Sequence, residues 1–266
     1  MNQKNLDYLK HQLKYTGFGE TFDTVLRESI QKGEKEFKIE HNGVYNKDSM
    51  SVELNFKKSD QTDMYFFNSY QVNLKKEDSK EGLQQTFYIN KDSNITLKEA
   101  YNLMEGRSVN KDLKTKEGED YNAWLKIDFK VADDNGNFKI NHYHQNYGYN
   151  LEASLAKHSI KELATPSYKE DLINSLKKGN LQSVTFVVNG VETKHFVEAN
   201  PHYKTLNVYD GNMQRINHRE SKGQKKVEDQ GKNQGKEAKE KQNSASEKLD
   251  EGEKKKSTRK SKAKSP

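Results

Sequence analysis

The sequence predicts an α+β protein: three tandem units, each a helix followed by an antiparallel meander, set between an N-terminal helix and a disordered basic C-terminal tail. Four observations carry this. An apolar-patterned helical phrase that stops at a glycine occurs three times, as FDTVLRESIQKG at 22–33, ITLKEAYNLMEG at 95–106 and YKEDLINSLKKG at 168–179. Its glycines, Gly33, Gly106 and Gly179, recur at a single interval of 73 (106 − 33 and 179 − 106). The register persists beyond the helix, since a shift of 73 places Val52, Leu54 and Phe56 on Leu125, Ile127 and Phe129, and Tyr65 and Phe67 on Phe138 and Ile140. Finally, all 26 aromatic residues lie at or before Tyr209, so the body has the material for a core and the last fifty residues do not. The implied boundaries are an N-terminal helix (1–20), three units (21–94, 95–164, 165–216) and the tail (217–266).

Taken in order, residues 5–15 present Leu6, Leu9 and Leu13 on one helical face, and Gly17 and Gly19 end that helix. The first repeated helix buries Phe22, Val25, Leu26 and Ile30, and Gly33 takes the left-handed conformation in which helices commonly close. Period-two alternation marks strands at 36–40, 51–56 and 64–70, with an additional strand at 85–89. In the second unit Thr96 and Glu99 have the spacing of a capping box, and Leu97, Ala100, Tyr101 and Leu103 face the sheet. Strands follow at 109–113, 121–129 and 138–144. The last two are joined across Asn135-Gly136, the pair that a tight primed turn favours. Residues 151–163 read as a connecting helix. Pro166 suits a first helical turn, with Ser167 and Glu170 at capping-box spacing, and strands are expected at 184–188, 193–198 and 205–209 with a hairpin at Asn189-Gly190. The third unit is seven residues shorter before its last strand, whose Leu206 answers to Ile140 at a shift of 66.

Charge divides where composition does. Residues 219–266 hold 16 Lys and Arg against 9 Asp and Glu, a net of +7, so with +6 overall the stretch 1–218 carries −1. Within the tail Lys254, Lys255, Lys256, Arg259, Lys260, Lys262 and Lys264 form a run without an acid, suited to sequence-independent contact with the phosphates of DNA or RNA. Cysteine is absent, which removes disulfides, thiolate metal sites and cysteine nucleophiles. No apolar run approaches the ~20 residues that cross a bilayer, and the expected setting is cytoplasmic, away from membranes.

No catalytic constellation stands out, and neither a cofactor nor a metal is expected. His142 and His144 share one face of a strand and, with His158 or His195, would give three imidazoles; their ordinary role is as polar residues on an exposed sheet face. DDNGN at 133–137 lacks the alternating oxygens and terminal glutamate of a calcium loop and reads as a turn, and KKGN at 177–180 reads as a helix end. The third strand of each unit and the segment after it are richer in rings and amides: Phe66, Asn68 and Tyr70; His142, His144, Tyr147 and Tyr149; Tyr203, Asn207 and Tyr209. Such side chains stack on bases and bond their edges, but in a chain poor in Leu, Ile and Val they also furnish core. Tyr70, His142, His144, Tyr147, Tyr149 and Tyr209 are therefore the candidate platform, and the exposed parity of each strand decides between the two roles.

KSDQTDMYFFNSY at 58–70, ITLKEAYNLMEGRSVNKDL at 95–113, YNAWLKIDFK at 121–130, NYGYNLE at 146–152 and EANPHYKTLNVYDGNM at 198–213 together resemble an uncharacterised family carried on conjugative and other mobile elements of Bacteroidetes-type bacteria. The resemblance covers roughly residues 1–215 and excludes the tail. It implies units used singly or in tandem, sometimes near or joined to topoisomerase-like DNA-processing proteins, and it brings no assigned activity or catalytic residue. The expectation is a non-catalytic interaction protein whose units hold a protein partner while the tail contacts nucleic acid. The alternative is an enzyme, or an enzyme regulator, in DNA transfer, with a site assembled between units.

Overall fold

The computed structural model describes residues 2–91 and 93–216, which lie within one compact unit. The tail and its seven candidate cations, Lys254 to Lys264, lie outside the described residues. The chain begins with α1 (Gln3–Tyr15) and α2 (Asp23–Lys32) and runs into a four-stranded antiparallel meander, β1 (Glu36–Tyr45), β2 (Asp48–Lys58), β3 (Tyr65–Lys75) and β4 (Leu83–Tyr88). Next come α3 (Leu97–Met104) and a three-stranded meander of β5 (Val109–Lys114), β6 (Asp120–Ala132) and β7 (Phe138–His144). The short α4 (Leu151–Leu155) and then α5 (Pro166–Lys177) precede the third meander, β8 (Gln182–Val188), β9 (Val191–Asn200) and β10 (Thr205–Tyr209). The fold is thus mixed helix and antiparallel sheet, and the strand expected at 85–89 joins the first sheet as its fourth member.

Each long helix that precedes a meander is followed by a glycine in the left-handed region: φ is 74° at Gly33, 79° at Gly106 and 78° at Gly179. Each meander then opens three residues later, at Glu36, Val109 and Gln182. The Thr96–Glu99 capping box forms in both directions, Thr96 Oγ1 accepting from the Glu99 amide and the Glu99 carboxylate accepting from the Thr96 amide at 2.9 Å.

The first core combines the leucines of α1 and the aliphatic residues of the sheet with a run of contacting rings. Phe37, Phe56 and Phe67 stack in series at 4.8 and 5.0 Å, Tyr70 stacks on Phe87 at 5.3 Å, and Phe18 meets Tyr70 edge-on. Helix α3 packs against β3 and β4 on one side and β5 and β6 on the other, and α5 likewise touches β5 as well as β8 and β9. The helices therefore join consecutive sheets, which are neither merged at their edges nor separate beads. Side-chain amides lock the joints. Asn5 of α1 exchanges both hydrogen bonds with the backbone of Tyr65 (2.7 and 2.9 Å), and Gln85 of β4 does the same with Phe138 (2.8 and 3.4 Å), each amide standing in for a missing strand.

Several expectations are corrected. Val25 is exposed; only Phe22, Leu26 and Ile30 of its helix face the core. Phe129 is 38% exposed where Phe56 is 2%, because the β6–β7 register breaks between Asp128 and Ala132 and releases Phe129 to pack edge-on against Phe138. Residues 151–163 are not one helix: α4 stops at Leu155, and the chain at Ser159 and Ile160 instead pairs with Val187 and Phe186 of the third sheet. Ser167 and Glu170 form no capping box; Thr165 occupies the N-cap without a side-chain bond and Pro166 starts the helix. At Asn135-Gly136 only the glycine has positive φ, because the Asp133 carboxylate accepts from the Asn135 and Asn137 amides and holds a wider turn. The tight turn with two positive φ values occurs instead at Asn189-Gly190 (52° and 78°).

Candidate binding surfaces

The candidate ring residues divide between core and surface. Tyr70 is fully buried and donates to the Ile95 carbonyl at 2.6 Å, so it is core. Tyr149 packs edge-on against Trp124 and donates to the Thr205 carbonyl; burial pushes its pKa well above the tyrosine range. Tyr209 donates to Glu198 at 2.9 Å, and burial together with that carboxylate pushes its pKa up to about 12. His142, His144 and Tyr147 are exposed. The two histidines share one face of β7 beside Tyr121, with their rings 6.1 Å apart. Desolvation first, and the neighbouring His144 second, hold the His142 pKa below its ordinary value.

His158 and His195 lie elsewhere, both stacked on Phe186 of β8, at 5.6 and 4.3 Å. Among the described residues no group of three or more His, Asp or Glu side chains is placed to hold a metal ion.

The opposite face of β7 leads to a second cluster. Tyr143 touches Tyr147 (4.9 Å between rings) and shares a 2.9 Å hydrogen bond with His202, and Tyr147 donates to the His202 carbonyl. Lys204 lies 4.6 Å from the Tyr147 ring, and Tyr203 projects into solvent beside His202. An edge strand with rings on both faces, continued by the 201–204 turn, is the most prominent polar-aromatic display on the second and third sheets.

Sequence reading missed a buried polar seam between the second and third sheets. Asn102 is fully buried and donates to the Lys178 carbonyl (2.7 Å) and the Asn180 side chain (2.9 Å). Arg107 donates to the Gly179 carbonyl and to Asn102, and Lys126 to the Gly106 carbonyl at 2.7 Å. These groups satisfy the carbonyls left open where α3 and α5 end, and the cations also suit the negative end of each helix dipole. On β9 and β10, Asn200 donates to Asn207, Asn207 to Glu198, and Arg215 to Asn207. The charges of Glu198 and Arg215 reach Lys126, whose pKa burial lowers. The legible signal was Glu198 and Asn200 alternating with Val197 and Ala199 in a strand buried on both faces.

Comparison of the chain with protein-family models, curated proteins and solved structures returned no match. Among the described residues no helix is long and apolar enough to cross a membrane.

Proposed function

We propose that the chain is a non-catalytic interaction module of a mobile genetic element, its folded part holding a protein partner and its basic C-terminal segment adding sequence-independent contact with nucleic acid. The observation that carries this is how the polar groups are spent. The seam charges Arg107, Lys126, Glu198 and Arg215 are all bonded within the fold, whereas the rings of Tyr147, His202 and Tyr203 gather at the surface beside β7. Aromatic residues enclosed by a rim of hydrogen-bonding groups are what protein interfaces use as anchors. The seam is where an enzyme reading would place its site, and the internal commitment of each group is what weighs against it.

The mobile-element setting rests on the family resemblance. The tandem-duplication reading gains support from a detail beyond the glycines. The backbone positions gripped by side-chain amides, Tyr65 and Phe138, are separated by 73 (138 − 65), the same interval as the helices.

The test is an affinity capture from the native cells, with untreated extract to read nucleic acid and nuclease-treated extract to read protein, using wild type, Tyr147→Ala/Tyr203→Ala, and a chain with the seven tail cations changed to Gln. The proposal expects one protein lost with the ring variant and nucleic acid lost with the tail variant. Retention of every captured protein by the ring variant would remove the β7 surface from the account.

A further inference from the structure

Three clefts of about 400, 410 and 360 Å3 meet at Lys91, which lines all of them. One runs along α1 past Tyr8, His11 and Tyr15; another reaches Phe66 and Asn68 on β3; the third reaches Lys114, Tyr121 and His142 on the second sheet. Together they form a continuous path across the joint between the first two sheets, on the face of β7 opposite the Tyr143–Tyr147 cluster.

The chemistry of that path is specific. Its rings are displayed rather than packed: Tyr8 is 46% and Tyr15 75% exposed, and His11 stacks on Tyr15 at 5.8 Å. Tyr8 and Tyr15 are two helical turns apart on one stripe of α1, roughly 10 Å at 1.5 Å per residue, or about three stacked nucleotide steps at 3.4 Å. Beside the rings stand amides: Asn68 and Asn90 are exposed and match base edges as donors and acceptors, while Gln12 donates to the Tyr8 hydroxyl and Asn94 exchanges hydrogen bonds with the Asn90 backbone. Cations are supplied by Lys91, Lys111 and Lys114, the last two also pairing with Glu99 and Asp120. Aliphatic side chains are few, Ile89 and Leu113, so an apolar peptide has little to bury there.

We propose that this Lys91-centred groove is a single-stranded nucleic-acid site, in which unstacked bases lie on Tyr8, Tyr15 and Tyr121 and the lysines follow the phosphates. A duplex keeps its bases stacked on each other and does not offer them to these rings. The site is separate from both the tail and the β7 partner surface, so it stands or falls apart from the function proposed above. Because two of its three lysines already have carboxylate partners, its affinity derives more from stacking than from counter-ion release, and its salt dependence is shallow.

The test uses the full chain with the seven tail cations changed to Gln, and fluorescence anisotropy of a labelled oligothymidylate, competed with duplex DNA. The expected result is single-strand binding that persists in this background and weakens about tenfold or more on Tyr8→Ala/Tyr15→Ala. Lys91→Gln should lower the salt slope by about 0.7, the value for one lost single-strand phosphate contact. Tyr168→Ala, an exposed ring on α5 off the path, is the control, and unchanged denaturation midpoints establish that the variants are folded. Loss of all single-strand binding on tail neutralisation, groove variants that bind like the control, or equal competition by duplex would each overturn the proposal.

Discussion

Adding one methyl group at Gly179 should cost the fold far more than adding it at Gly33, although the two glycines end helices at the same register. Both have φ near 75°, so alanine at either meets the left-handed penalty of about 1–2 kcal/mol. Part of that is offset by the ~0.4–1 kcal/mol gained from a less flexible unfolded chain. At Gly33 nothing lies within 4 Å of the new Cβ, and the net cost is about 1 kcal/mol. At Gly179 the Cβ would stand 2.8 Å from Val109 Cγ2, 3.0 Å from the Ser108 carbonyl oxygen and 3.1 Å from Asn102 Cβ. Val109 and Asn102 are fully buried, and Asn102 is tethered to the end of α5 by its hydrogen bonds, so neither can withdraw cheaply. Overpacking adds about 1–3 kcal/mol, for a total of ~2–4 kcal/mol. With an m-value of about 3 kcal/mol/M in urea, the midpoint should fall by roughly 0.3 M for Gly33→Ala and by about 1 M for Gly179→Ala. Equal shifts would refute the claim that α5 closes tightly on the second sheet.

Other predictions follow from the same geometry. Gly106→Val should destabilise by about 1 kcal/mol or more, since a β-branched residue resists φ of 79°; an unchanged denaturation midpoint would contradict it. Asn102→Ala strips the Lys178 carbonyl and Asn180 of their donor inside the fold and should cost about 2 kcal/mol or more, read as a lower urea midpoint. Tyr70→Phe should cost about 1–2 kcal/mol through the orphaned Ile95 carbonyl, with nucleic-acid affinity unaltered. An affinity change there would return Tyr70 to the binding surface. Tyr209 is an acid whose folded pKa lies above its unfolded value, so its neutral form is stabilising below about pH 10 and that contribution is lost as pH rises toward 12. Tyr209→Phe should therefore lose less stability than wild type between about pH 9 and pH 11, either side of the ordinary tyrosine value.

The sequence carried the element order because local signals were strong: helix stripes, closing glycines, period-two strands and one capping box all formed where their residues stood. It failed where tertiary contacts overrode local pattern. Phe129 matches Phe56 in the linear register but sits at a register break that only strand pairing creates. The helix expected at 151–163 loses its second half to pairing of Ser159 and Ile160 with β8, a partner that lies beyond the whole of α5 in the chain. Of the six candidate platform residues, strand parity separated exposed His142 and His144 from buried Tyr70, but it said nothing of Tyr149, which lies beyond the strand and is held by Trp124. The seam of Asn102, Arg107 and Lys126 was illegible because most of its partners are backbone carbonyls at two helix ends, and its side-chain partner Asn180 lies 78 residues from Asn102 in the chain.

The most direct measurement for the functional account is the salt dependence of nucleic-acid binding by wild type and by the chain whose seven tail cations, Lys254, Lys255, Lys256, Arg259, Lys260, Lys262 and Lys264, are changed to Gln. Each phosphate contact on a single strand contributes about −0.7 to the slope of log K against log salt, so neutralisation should flatten that slope by up to about five. Residual affinity and a shallow slope are the predicted result; a slope as steep as that of wild type would show that the basic run is not the electrostatic contact.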